Sequence, residues 1–147
     1  MSYQTIINKM TAFCDAHFQV KKFGSDFKEQ MPNFATKDEK YPIVYAVPTS
    51  TSAGLNTRQF NFDIYCLDII QKDRQNINVI LSDTELILND FYLYFYDGQD
   101  LSIDVISPMN TTPLNNFDLD YCAGWVMSIT FEVANLPECV IPIETPN

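Results

Sequence analysis

The chain has 147 residues and a formal charge of −10, from 9 basic and 19 acidic side chains. Its length suits one domain with a real hydrophobic core and no need of covalent staples. Only 4 glycines are present, which excludes collagen-like and glycine-rich classes, and the acidic balance (pI near 4.2) lacks the basic footprint of a general nucleic-acid binder.

The charge is unevenly placed. Residues 1–40 hold 6 Lys and 5 acids, whereas residues 41–147 hold 3 basic and 14 acidic groups. The negative field therefore belongs to the last three quarters of the chain. Such a field keeps a protein dispersed and repels polyanions. The N-terminus has no basic segment followed by an apolar one, and no run approaches the ~18 apolar residues of a spanning helix. The expectation is a soluble protein without membrane contact.

Residues 3–18 predict an amphipathic helix, with Ile6, Ile7, Met10, Phe13, Cys14 and His17 or Phe18 at three- and four-residue steps. Ser2 or Thr5 would cap it. Phe18, Val20 and Phe23 suggest the start of a strand, and residues 24–40, with Pro32, read as a flexible loop. Tyr41 to Val47 alternate as a strand bounded by Pro42 and Pro48, and residues 48–58 read as a second flexible loop, small and polar. Gln59 to Asp68 form a strand with Phe60, Phe62, Ile64 and Cys66 on one face.

The strongest periodic signal lies in residues 73–97. Ile77, Ile80, Leu81, Thr84, Ile87, Leu88, Phe91 and Phe95 trace one helical face. One helix near 76–96 fits, as does a break with a new helix capped by Ser82 and Glu85. Leu101 to Val105, Phe117 to Tyr121 and Met127 to Val133 alternate as strands, with a polar loop over 108–116. Residues 136–147 carry prolines and suit an extended arm or a sheet edge. The whole predicts a single α+β domain: an antiparallel sheet packed on one face by two helices.

Chemistry is sparse. The one histidine, His17, falls near an apolar helix edge, the usual place of a structural histidine. No G-x-S-x-G elbow, P-loop, dinucleotide fingerprint or EF-hand spacing is present. Cys14, Cys66, Cys122 and Cys139 are too scattered for a C-x-x-C site and read as reduced, mostly buried thiols. Asp118 and Asp120 share a strand face, and Asp100 and Asp104 are similarly placed. Such pairs can hold magnesium or serve acid–base chemistry, but solvated strand faces explain them with less. Helix 76–96 is aromatic and apolar beyond its main stripe, at Leu86, Tyr92, Leu93 and Tyr94. These residues lack interleaved Lys or Arg, so they suit a subunit interface better than base stacking.

Two passages, DRQNINVILSDTELILND at 73–90 and GWVMSITFEV at 124–133, carry a likeness to a known family. With the order helix, Tyr41-Pro42 strand, long strand, packing helix and closing strands, residues 3–135 resemble tail terminator or tail-completion proteins of the bacteriophage neck. Those of phages infecting Bacteroidetes, such as the crAss-like group, are included. The resemblance implies a non-enzymatic subunit of a ring of six or twelve copies, without catalytic residues, metal or cofactor. It implies a place in the virion, after synthesis in the host bacterial cytoplasm. Its partners would be portal, adaptor or other neck rings and tail tube or hub proteins, with genomic DNA passing through unbound. Acidic side chains suit the wall of such a bore, with Asp118 and Asp120 the first choice and Asp100 and Asp104 the second. Other readings stay open: a head-completion adaptor or tail-tube component, a small ligand- or protein-binding module, or a small enzyme.

Overall fold

The computed structural model describes residues 3–31, 41–70, 74–97, 102–117 and 122–134. It contains helix α1 (Tyr3–Ala16), strand β1 (Lys22–Ser25), a 3-10 turn (Lys28–Gln30), strands β2 (Ile43–Ala53) and β3 (Thr57–Ile69), helix α2 (Ile77–Tyr96), and strands β4 (Ile103–Val105), β5 (Asn110–Phe117) and β6 (Cys122–Ala134). The α+β class and the two packing helices are as the sequence predicts.

The strands form one six-stranded sheet in the order β1-β2-β3-β6-β4, with β5 also paired to β6. It is mixed rather than wholly antiparallel, because β1 runs parallel to β2. The chain leaves β1 at Ser25 and returns to β2 at Ile43, long enough for a crossover that a tight hairpin could not supply.

Register separates the two faces. Val44 and Ala46 of β2, Phe60, Phe62, Ile64 and Cys66 of β3, and Met127, Ile129, Phe131 and Val133 of β6 point to one side. Ile6, Met10, Phe13 and Cys14 of α1 and Ile87, Leu88, Phe91 and Phe95 of α2 cover that side. Aromatic edges lock the layers: Phe131 meets Phe95 at 4.9 Å and Phe62 at 5.8 Å, and Phe13 meets Phe91 at 5.4 Å. The Trp125 indole donates to the Leu81 carbonyl at 2.8 Å, fastening β6 to α2.

The reverse side is divided. Near the start of β2, Ile43, Tyr45, Val47, Tyr65, Leu67 and Cys122 form a second apolar cluster with Met31. Beyond Val47 the reverse side turns polar. Gly124 marks a close approach of β6 to β3: a Cβ there would lie 1.9 Å from the Cys66 carbonyl oxygen, so only glycine fits.

Several sequence expectations shift. Residues 48–53 continue β2 instead of opening a flexible loop, so the connection shrinks to Gly54–Asn56. Pro48 did not end the strand because it sits on an outer edge beside a bulge, where no ladder donor is required. Residues 110–116 belong to β5 rather than a loop, since Thr111 and Thr112 suit an extended partner for β6; of the strand expected over 117–121, Phe117 closes β5 and 118–121 lie outside the described residues. Within the expected loop 24–40, β1 and the 3-10 turn order the part up to Met31, and 32–40 lie outside the described residues. Helix α2 is continuous from Ile77, with Ser82 inside it; Asn76 ties its start to β3 by donating its side-chain amide to the Ile69 carbonyl at 3.1 Å. The arm 136–147 lies outside the described residues.

Candidate functional site

Among the described residues, the polar half of the reverse sheet face carries a connected set of side-chain hydrogen bonds. Strand alternation puts Ser50 and Ser52 of β2, Gln59, Asn61 and Asp63 of β3, Ser128, Thr130 and Glu132 of β6, and Asp104 of β4 on it. They fall into three rungs across the strands. In the first, Ser52 donates to Gln59 at 3.4 Å, and Gln59 donates its amide to the Glu132 carboxylate at 3.2 Å. Asp104 stands opposite Glu132. In the second, Thr130 donates to the Asn61 carbonyl at 2.5 Å, while the Asn61 amide donates to Ser50 at 2.8 Å. In the third, Ser128 donates to Asp63 at 2.9 Å.

Each amide thus accepts from one strand and donates to the next, which fixes its orientation. The carboxylates accept from neutral donors, and no lysine or arginine is among these rungs. The surface is negative and already hydrogen-bonded to itself. An open depression of about 200 Å³ lies at its edge, between Asn56, Thr57, Ser102, Asp104 and Glu132. Below the rungs, burial pushes the Tyr45 phenol up to about 12, with Asp26 adding to the shift. Burial and then Asp63 push the Tyr65 phenol up as well, so both remain protonated donors.

Of the four aspartates expected on a channel wall, Asp104 lies on this surface and is exposed. Asp100, Asp118 and Asp120 lie outside the described residues. Asp63 and Glu132 join Asp104 on this surface, and the strand alternation of β3 and β6 already turns them outward. The register between β3 and β6 then decides their partners, Ser128 for Asp63 and Gln59 for Glu132.

A second surface runs along α2. Leu86 and Leu93 are about half exposed, at 51% and 43%, and Val79, one heptad earlier, extends their stripe at 60%. Tyr94 is half exposed and leans on Phe13 at 5.1 Å. Tyr92 instead turns toward its own domain, donating its hydroxyl to the Ser107 carbonyl at 2.9 Å. Asp83, Asp90 and Asp97, each three or four residues from the stripe, give it an acidic flank.

His17 proves to be a clasp between helices. Its Nδ1 accepts from the Gln19 backbone N–H at 3.1 Å, so Nε2 carries the proton it shares with Asp90 at 2.9 Å. Both ring nitrogens are thereby used. Burial pushes the nearby Cys14 thiol up to about 12, with Asp15 adding to the effect, and complete burial pushes Cys66 well above the usual thiol range. These thiols are poor nucleophiles at neutral pH. Cys14, Cys66 and Cys122 are buried, as expected; Cys139 lies outside the described residues. Among the described residues, no group of three or more His, Cys, Asp or Glu is placed to hold a metal ion, and no helix is long and apolar enough to cross a membrane.

No protein-family model matches the chain, and no curated protein sequence matches it.

Proposed function

We propose that the protein is a ring-forming structural subunit of a tailed-phage neck or tail, joining the head connector to the tail, with the polar sheet face forming part of the wall past which DNA moves. The observation that carries this reading is the character of that face. It presents hydroxyls, amides and the carboxylates of Asp63 and Glu132, hydrogen-bonded to one another across three strands, with the exposed Asp104 carboxylate opposite Glu132. Phosphates meet repulsion there and find no cation to release counterions against. A duplex slides over such a surface instead of binding to it.

The stripe on α2 supplies the subunit contact in this reading. A closed ring joins two different patches of the same chain. The apolar stripe Val79, Leu86 and Leu93 is matched in this reading with exposed Phe27, near Met31 in the cluster on the reverse side of the sheet. Apolar contact then gives the binding energy.

Mass photometry and negative-stain microscopy of the purified protein test the reading. Closed rings with a central opening are expected, and Leu86→Asp with Leu93→Asp should disperse them without loss of helical content. A reconstruction of the assembled ring with Asp63, Asp104 and Glu132 on its outer rim would rule out their role in the wall.

A further inference from the structure

The distal half of β2 is an open sheet edge. β1 pairs only with Ile43–Ala46, yet β2 runs on to Ala53, and no described strand covers the outer side of Thr49–Ala53. These residues are exposed, and Leu55 at the turn beyond them is 95% exposed. Long open edges accept a further strand, and proteins that keep them free usually place charge on them. Here Pro48 and a bulge protect the base of the edge only. From Tyr41 to Phe62 the single charged side chain is Arg58, in a chain of net charge −10.

The remainder of the chain departs from the same end of the hairpin. Ala134, the last residue of β6, is paired with Thr57 beside the turn, and residues 135–147 follow it. Cys139-Val-Ile-Pro-Ile143 is rich in β-branched residues, which favour a strand. Glu138 and Glu144 bracket it, opposite in sign to Arg58. Pro142 lacks a backbone donor, which suits an outermost strand. We infer that Cys139–Ile143 of one copy adds as a strand to the Thr49–Ala53 edge of β2 in a neighbouring copy. This clasp rests on the ring reading above and names a second contact within it.

The neighbour is favoured by chain reach. From β6 to a new strand outside β2 is three strand spacings, about 14 Å. The five steps from Ala134 to Cys139 span at most about 18 Å. That leaves little slack to round the hairpin turn at Leu55 within one copy, so the strand is assigned to the edge of a neighbouring copy.

The test uses the Ser52→Cys protein and a short bismaleimide, which joins two thiols by addition. Cys14, Cys66 and Cys122 are buried, so Cys139 and the new thiol are the intended pair. A ladder of dimers and larger species on a denaturing gel is expected, lost when Cys139→Ser is added. A link confined to single chains, a ladder that survives Cys139→Ser, or no link at all overturns the inference. The survival case would mean that two β2 edges pair with each other. Deleting residues 137–147 should dissociate the rings while circular dichroism and melting stay unchanged. Rings that persist after the deletion sink the clasp and leave the ring reading standing; a full chain that never forms rings sinks both.

Discussion

The two faces of the sheet are built from the same three central strands, yet they are held by different physics. On the helix side, Phe60, Phe62, Ile64, Met127, Ile129 and Phe131 meet two helices and are almost without exposure. On the polar half of the reverse side, the alternate residues of those strands join one another through side-chain hydrogen bonds at the surface. Burial of apolar area dominates stability, whereas a half-exposed hydrogen bond replaces one to water and contributes little net. One face therefore holds the fold together, and the other is free to be shaped by what it must touch.

The largest effect should come from the centre of the covered face. Phe131 is fully buried and packs edge-on against Phe62 and Phe95, each from a different element. Phe131→Ala leaves a cavity shared by β3, β6 and α2, and should cost about 3–5 kcal/mol in urea unfolding. A loss below about 1 kcal/mol would mean that this face is not the one that holds the domain.

The close approach of β6 to β3 comes next. Gly124→Ala places a methyl against the Cys66 carbonyl, part of the backbone rather than a movable side chain. The strands must separate locally, at a cost of about 1–3 kcal/mol. Chemical shifts should move in both β3 and β6. Wild-type stability in this variant would show that the approach is looser than described.

The covered face was the legible one. Phe60, Phe62, Ile64 and Cys66 announce a strand by period two, and Ile80, Thr84, Ile87, Phe91 and Phe95 announce a helix by their spacing. Both patterns are local, written by burial on a single element. The rungs of the polar face were not legible, because Gln59 meets Glu132 across 73 positions of sequence. Each residue could be assigned to an outward face, but its neighbours are fixed by strand register, which no local pattern encodes. The extension of β2 past Pro48 was hidden for a related reason: Ser and Thr read as loop until β3 is known to pair with them.

Asp68 probes the margin between the two regimes. It lies on β3, with its carboxylate accepting from the Ile69 backbone N–H at 2.8 Å. Burial pushes its carboxyl above the ordinary 3.8, opposed by that hydrogen bond and assisted by the charge of Asp83. Between its unfolded and folded values the native state binds more protons, so stability falls as pH rises through that window. Asp68→Asn removes the charge and keeps the acceptor. It should raise Tm at neutral pH by on the order of 1–2 °C, an advantage that shrinks on acidification below the unfolded value. An advantage that grows in acid would reverse the assigned direction.

The smallest effect should come from the polar rungs themselves. Thr130 donates to the Asn61 carbonyl, and Asn61 keeps its second bond to Ser50. Thr130→Val conserves shape and β-branching and removes only the hydroxyl, while water reaches the half-buried Asn61 oxygen left behind. The expected change is within about 0.5 kcal/mol by urea unfolding, far below that of Phe131→Ala on the same strand. Thr130 and Phe131 are adjacent in sequence and point to opposite faces, so the pair compares the two sides at nearly constant backbone position. If Thr130→Val cost as much as Phe131→Ala, the rungs would be structural, and the division of labour between the faces would fail.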